Sequence, residues 1–187
     1  MAFDIRWLGQ SCFEITAGDK NILVDPFLNG NPKAAAAADE MEPDVILLTH
    51  GHADHLGDTV DIAKRTGATV VAIVELAAEI GEDGVENVID PNYGGTVSFD
   101  WGWVKLVPAW HTAVSPKGTP HMPAGLLIHI GDRLTEDVRG PLFAGCRGVI
   151  MVNTRNERIP EDLLNDSRVA IVGDLRDAPA AIGGLFN

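Results

Sequence analysis

The N-terminal part of the chain alternates between apolar and polar positions. Two alternating segments, at residues 3–7 and 13–15, are followed by a short apolar run at residues 22–24. A period of two is typical of half-buried β-strands. The turn residues at 17–20 indicate a hairpin between the second and third segments. The pattern therefore predicts that the chain begins with three short antiparallel strands.

Strand and helix patterns alternate in the middle of the chain. Residues 44–48 consist of Asp44 and a continuous apolar run, which is typical of a strand that is buried on both faces. Asp58 or Thr59 is placed to cap the helix that follows, and Gly67 is placed to end it. Later signals predict strands or helices at 69–74, 75–80, 85–89, 96–99, 103–108, 125–130, 149–152 and 169–172. This order predicts a layered α/β protein.

The densest chemical signal stands directly after the buried apolar run. His50, His52, Asp54 and His55 form a His-x-His-x-Asp-His pattern. Imidazole and carboxylate groups bind zinc and similar divalent metals. Alternation places His50 and His52 on the same side of an extended segment, whereas Asp54 and His55 follow where the chain must turn. This geometry favours two neighbouring metal positions over one, although a polar loop with surface histidines is the simpler alternative.

The motif and its surroundings resemble a known family. The stretch THGHADHLGD at 49–58 is similar to the signature of the metallo-β-lactamase superfamily. The segments 7–9, 22–27 and 107–111 resemble small metal-dependent hydrolases related to the bacterial ascorbate-6-phosphate lactonase, and the resemblance runs from about Ile5 to Gly131. The chain length fits a single α/β domain over residues 1–187. The resemblance implies that this domain folds as a four-layer αββα sandwich with its metals at one edge. The segment 134–187 diverges from the family pattern, so the sandwich is left open to being incomplete there.

The resemblance also implies roles for individual residues. His111 becomes the third imidazole of the His50 and His52 metal, while Asp54 and His55 begin a second site. Asp54 in addition orients the attacking water or accepts its proton. Asp25 is either a carboxylate that orients a metal ligand through a hydrogen bond or a turn residue before Pro26.

The implied activity is that of a metal-dependent hydrolase. Its metal-activated water would act on a small anionic lactone, ester or phosphoester. A catalytically degenerate metal-binding or interaction protein of the same fold is the alternative. The donor types favour zinc and leave manganese, nickel or iron open, with one or two metals per chain.

The resemblance fails where the second metal site should be completed. Family members place a bridging aspartate after the turn at 131–133 and a final histidine later, but residues 134–140 match poorly and no histidine follows His129. Asp174, after the strand signal at 169–172, is a candidate for the bridging carboxylate or else an ordinary turn residue. Three imidazoles alone can hold one zinc with an open position, so a one-metal enzyme is chemically reasonable.

Three further polar residues stand near the motif segments. Gln10 occupies a position where relatives commonly have histidine after Trp-Leu-Gly, and its amide cannot transfer a proton near neutral pH. His121 is expected to line the site or to face solvent rather than to bind metal. His129 is expected to be a solvated strand residue.

Composition and charge exclude some classes of function. The chain has 14 basic and 27 acidic residues, giving a formal charge of −13, which argues against a nucleic-acid partner. Cys12 and Cys146 do not form a disulfide framework, and Cys12 is expected to be a buried apolar residue. No secretory signal and no apolar stretch of about 20 residues is present, so a cytoplasmic protein without a membrane partner is expected. A small-molecule substrate is the expected partner, and self-association is left open.

Overall fold

The computed structural model describes residues 3–130, 149–152, 161, 165 and 169–172. The chain divides into two compact units, Met1–His129 and Ile130–Asn187. The boundary between them falls close to the turn at which the family resemblance ends. The prediction of one domain over the whole chain stays a prediction, and each unit is described by itself.

A six-stranded mixed sheet forms the larger part of the first unit. Its strands, in sheet order, are β1 (Phe3–Gly9), β2 (Cys12–Ala17), β3 (Lys20–Val24), β4 (Val45–Leu47), β5 (Thr69–Val71) and β6 (Val88–Ile89). The first three strands pair antiparallel, as the N-terminal alternation predicts. The strands β3 to β6 pair parallel, so their carboxyl ends lie along one edge of the sheet.

Helices connect the parallel strands. They are α1 (Ala53–Leu56), α2 (Thr59–Thr66) and α3 (Val74–Glu82). Gly67 ends α2 in the left-handed conformation with a φ of 74°, which confirms its predicted role. Asp58 stands at the N-cap of α2, but its carboxylate makes no capping hydrogen bond. It accepts instead from the backbone N–H groups of Leu28 and Asn29, so capping by its side chain is a wrong prediction.

A three-stranded sheet completes the described part of the first unit. It contains β7 (Thr96–Phe99), β8 (Gly102–Pro108) and β9 (Ala124–Ile130) in that order. One buried cluster joins Leu23, Ile46 and Val70 of the first sheet to Leu106 and Ala124 of the second. Burial of this shared apolar surface holds the two sheets and their helices together.

Two N-terminal regions differ from the expectation of the pattern. Ile5 and Trp7 are 56% and 52% exposed, because β1 is the edge strand and has a neighbour on one side only. The alanine-rich segment between β3 and β4 forms no α-helix. It contains only a 3-10 turn, Ala38–Glu40, and Ala38 and Met41 lie in the core. It is therefore a packing segment.

Cys12 is fully buried on β2, as expected for a small apolar residue. Burial, followed by the charge of nearby Asp25, raises the pKa of its thiol to about 12. The thiol is therefore neutral and unreactive at physiological pH, because the thiolate is the nucleophilic form.

The second unit contains a two-stranded parallel pair. Its strands are β10 (Val149–Val152) and β11 (Val169–Val172), which confirms both strand predictions. Asp174, the candidate bridging carboxylate, lies outside the described residues. No helix in the described ranges is long and apolar enough to cross a membrane.

Candidate metal centre

The site stands where two parallel strands end side by side. β3 ends at Val24 and is followed by Asp25, while β4 ends at Leu47 and leads through Thr49 to His50. The backbone N–H of Asp25 donates to the carbonyl of Leu47 at 3.0 Å, so the two segments stay paired beyond the sheet. Carboxyl ends of parallel strands commonly carry the chemistry of α/β proteins.

Three of the five proposed metal ligands converge. One nitrogen each from His50, His52 and His111 lies within 4.8 Å of the others. Nε2 of His50 and Nδ1 of His52 are 3.0 Å apart. Two nitrogens bound to one tetrahedral zinc at about 2.0–2.1 Å lie roughly 3.3 Å apart, so this donor set fits a single ion.

The hydrogen-bond network prepares His50 as a neutral ligand. The hydroxyl of Thr49 donates to Asp25 Oδ2 at 2.6 Å and therefore accepts from Nδ1–H of His50 at 2.9 Å. This assignment leaves the lone pair of His50 on Nε2, which faces His52. Burial, with further contributions from the neighbouring histidines, lowers the pKa of His50 to about 4. Neutral imidazole is the form that binds metal.

The three imidazoles differ in their access to solvent. His50 is buried, His52 is half-buried and His111 is exposed. His111 follows the end of β8, and its neighbour Trp110 projects fully into solvent. The group therefore opens toward solvent on the side of His111, which leaves room for a small molecule to approach.

Asp54 and His55 are held by protein partners instead. Nε2 of Gln10 donates to Asp54 Oδ2 at 2.9 Å, and Nδ1 of His55 donates to Asp25 Oδ2 at 2.8 Å. The ring of His55 lies beside that of His50, with 4.0 Å between their centroids. In the part of the chain that the structure describes, neither residue belongs to a group of three potential metal ligands. Their role as second-site ligands stays a prediction.

Asp25 connects Thr49, which directly precedes His50, with His55 at the end of the motif. It is 1% exposed, and its Oδ1 accepts from the backbone N–H of Thr49 at 2.8 Å. Its hydrogen bond raises the pKa of His55, against the opposing effect of burial. The φ of Asp25 is 43°, a left-handed conformation that is rare outside glycine. These contacts match the interpretation of Asp25 as an orienting carboxylate and not that of a simple turn residue.

His121 makes a contact with the motif that the sequence did not predict. It is buried, and its Nε2 accepts from the backbone N–H of Gly51 at 2.8 Å, while its Nδ1 donates to the carbonyl of Thr119 at 3.1 Å. Gly51 separates the ligands His50 and His52, so His121 fixes the backbone between them. Of the two alternatives for His121, exposure to solvent is therefore wrong, whereas a position beside the site agrees with its contact to Gly51.

The segment before His121 is itself anchored in the core. The hydroxyl of Ser115 donates to buried Glu79 of α3 at 2.6 Å and accepts from the backbone N–H of Thr119 at 3.1 Å. His129, expected to be solvated, is half-buried and stacks on Trp103 with 5.0 Å between ring centroids. Glu79 and Ser115, like Trp103 and His129, lie far apart in the sequence, so no short sequence pattern predicts these contacts.

Comparison with known proteins places this site in a family. The model of the metallo-beta-lactamase superfamily matches residues 5–149, and the chain belongs to that superfamily. This confirms the resemblance and the fold class that it implies.

Individual relatives agree with the family assignment. The UPF0173 metal-dependent hydrolase of Methanopyrus kandleri is 53% identical over 173 residues, which cover 84% of this chain and 75% of that protein. A UPF0173 metal-dependent hydrolase of Ligilactobacillus salivarius is 46% identical over 131 residues, covering 70% of this chain and 58% of its own length.

A solved structure is also similar. Igni18, a metallo hydrolase from Ignicoccus hospitalis, has a TM-score of 0.60 and 27% identity, covering 67% of this chain and 55% of that one. The match to Igni18, like that to the Ligilactobacillus protein, covers less than two thirds of the similar chain.

Proposed function

We propose that this protein is a metal-dependent hydrolase whose metal is held by His50, His52 and His111. The observation that carries the proposal is the convergence of these three imidazoles at the end of β4. The relatives named metal-dependent hydrolases support the reaction class. The expected reaction is attack of water on a small lactone, ester or phosphoester.

The metal and the protein side chains have separate tasks. A divalent metal at this position supplies Lewis acidity and lowers the pKa of a bound water. Asp54 lies in the first turn of α1, four positions after His50, and accepts the proton of the attacking water. The hydrogen bond from Gln10 holds one carboxylate oxygen of Asp54, which leaves the other oxygen for this task. Asp25 and His121 position the loop through their hydrogen bonds to the backbone N–H groups of Thr49 and Gly51.

Zinc is the metal that this donor set favours. Three imidazoles with an open position form a common catalytic zinc site, although manganese, nickel and iron also accept imidazole. One metal per chain is the number that the described residues support. A second metal could bind to Asp54 and His55 only if these residues gave up their hydrogen bonds with Gln10 and Asp25.

Hydrolysis by wild type and by Asp54→Asn tests the proposal. Metal-loaded wild type is expected to hydrolyse at least one class in a panel of carboxylate-bearing lactones, aryl esters and phosphoesters. The Asp54→Asn variant is expected to be slower by about 10²–10⁴-fold, because a positioned general base contributes that much. It should keep its first metal, since Asp54 is not among the converging donors. Full turnover in Asp54→Asn would rule out its role.

A metal-binding protein without hydrolase activity is the competing function. It is favoured by the hydrogen bonds that Asp54 and His55 already form with Gln10 and Asp25. Stoichiometric zinc with no turnover on any member of the panel would establish it.

A further inference from the structure

A cavity opens beside Asp54. Its volume is about 400 Å³. It is lined by Trp7, Gln10, Phe27, Asn31, Pro32, Lys33 and Asp54. Binding sites for small molecules commonly have volumes of roughly 300–1,000 Å³, with apolar walls and a few polar groups. The presence of Asp54 connects this cavity directly to the motif.

The walls of the cavity are fixed by backbone contacts. The side chain of Asn31 donates to the carbonyl of Phe27 at 2.9 Å and accepts from the backbone N–H of Lys33 at 2.9 Å. A Cβ on Gly9 would lie 2.5 Å from the carbonyl oxygen of Lys33, so the loop packs directly on the end of β1. The N–H of Ala35 also donates to β1, at the carbonyl of Leu8. The cavity is therefore formed before a ligand arrives, which lowers the entropic cost of binding.

The apolar side of the cavity presents aromatic rings. The indole N–H of Trp7 donates to the carbonyl of Gln10 at 2.9 Å, which fixes the ring orientation. The indole is nevertheless 52% exposed, although large aromatic side chains are usually well buried. Phe27 and Pro32 provide further apolar surface. Offset stacking between aromatic rings adds to the energy of simple burial, so this surface favours a planar aromatic group.

The polar side of the cavity carries one cation. Lys33 is the only basic residue of the lining. Among the described residues, no carboxylate lies within ion-pair distance of its ammonium group. The chain carries a formal charge of −13, so an anion is repelled unless a local positive charge compensates. The Lys33 ammonium provides that local charge.

We propose that this cavity binds the part of the substrate that does not react, and that this part contains an aromatic ring and an anionic group. This inference rests on the proposed hydrolase function, because the ring and the anionic group belong to the molecule that is hydrolysed. The ring lies against Trp7 and Phe27, the anion faces Lys33, and the scissile bond extends past Asp54 toward the imidazoles. The substrate class is therefore an ester, lactone or phosphoester that also carries an aromatic ring and a free anionic group.

A binding experiment tests the cavity without requiring turnover. Benzoate, its neutral isostere benzamide, and acetate are titrated into the protein by ligand-observed NMR, both after metal removal with EDTA and after zinc loading. Benzoate is expected to bind in both states, while benzamide and acetate bind more weakly. Binding of benzoate only to zinc-loaded protein would show that the metal holds the carboxylate, and would overturn the assignment to Lys33.

Matched variants locate the binding site. Lys33→Gln is expected to weaken benzoate binding by about threefold to fivefold, as for loss of a partly exposed charge pair. Lys105→Gln, a lysine on β8 outside the cavity, should leave it unchanged. Phe27→Ala should weaken benzoate binding, whereas Phe13→Ala, an exposed phenyl ring outside the cavity, should not. Equal binding by Lys33→Gln and wild type would overturn the proposal.

A hydrolysis experiment separates this proposal from the proposed function. Zinc-loaded wild type is assayed with 4-acetoxybenzoate and with its neutral analogue 4-acetoxybenzamide. A preference for the anion that disappears in Lys33→Gln supports the cavity as the substrate site. Turnover of both compounds without preference contradicts the cavity and leaves the hydrolase intact. Benzoate binding that depends on Lys33, without turnover of any ester, contradicts the hydrolase and supports the cavity as a ligand site.

Discussion

The two halves of the His-x-His-x-Asp-His motif have different surroundings. In the first half, His50 and His52 converge with His111 from a distant loop, and their nitrogens face one another. In the second half, Asp54 is bound by Gln10 and His55 by Asp25. One short stretch of chain thus supplies two of the three donors for one metal, together with two side chains that already have protein partners.

The difference shows that the motif alone does not determine how many metals are bound. A ligand becomes available when its neighbours leave its donor atom free, as Thr49 does for Nε2 of His50. A second-site ligand must first give up a protein contact, which costs free energy unless the metal replaces it. The first half is therefore expected to bind metal strongly, and the second half weakly or not at all.

Removing one imidazole from the first half should have the largest effect. His111→Ala is expected to lower zinc affinity by more than about 100-fold, a larger loss than the roughly 10–100-fold typical of outer partners. His111 is exposed, so the variant should remain folded. Competition for zinc against a chromophoric chelator measures the affinity. His55→Ala is the matched variant of the second half, and a loss as large as that of His111→Ala would show that the halves are not distinct.

Removing the carboxylate that connects the halves should affect both. Asp25→Ala leaves the N–H and hydroxyl of Thr49 without their acceptor, and a buried unsatisfied group costs about 1–3 kcal/mol. Urea denaturation measures the free energy of unfolding, and zinc affinity is expected to fall about 10–100-fold. Asp61→Ala on the exposed side of α2 is the control. Unchanged zinc affinity in Asp25→Ala would contradict its orienting role.

Removing His121, which holds the backbone between His50 and His52, should have a smaller effect. His121→Ala deprives the N–H of Gly51 of its acceptor, with an expected loss of about 1–3 kcal/mol of unfolding free energy. Zinc affinity should fall by roughly tenfold, at the lower end for outer partners, because the backbone between His50 and His52 becomes less ordered. His129→Ala, which removes a ring stacked on Trp103, is the control for zinc affinity. Equal zinc affinity in the two variants would show that His121 is only structural.

The smallest effect is expected for Gln10, in the second half. Gln10→Leu removes a hydrogen bond to Asp54 that is exposed to solvent and worth about 0.5–1.5 kcal/mol. The expected loss of kcat is therefore no more than about tenfold, with zinc affinity unchanged. Gln10→His restores a donor and should recover activity if the role is positioning. A change in zinc affinity in Gln10→Leu would contradict the separation of the two halves.

Local sequence signals predicted the elements that depend on local physics. The alternation in β1 to β3, the apolar run of β4 and the end of α2 at Gly67 each follow from a few neighbouring residues. The contact between Asp25 and the motif depends on the pairing of the strand ends, which the sequence alone does not show.

Contacts that depend on tertiary packing were not predictable. His121 and Gly51 are 70 positions apart, and Gln10 and Asp54 are 44 apart. The exposure of Ile5 and Trp7 follows from the edge position of β1, which their alternation does not show. Likewise, the carboxylate of Asp58 does not cap α2, because it accepts hydrogen bonds from two backbone N–H groups of a loop that is distant in the sequence.

Zinc content per chain tests the central claim most directly. Elemental analysis is made on the full chain after zinc loading and removal of weakly bound ions, with His50→Ala and His55→Ala beside it. The account predicts about one zinc per chain in wild type and in His55→Ala, and almost none in folded His50→Ala. Zinc that is absent from folded wild type, or that is retained in His50→Ala, would contradict the claim that the three converging imidazoles form the metal site.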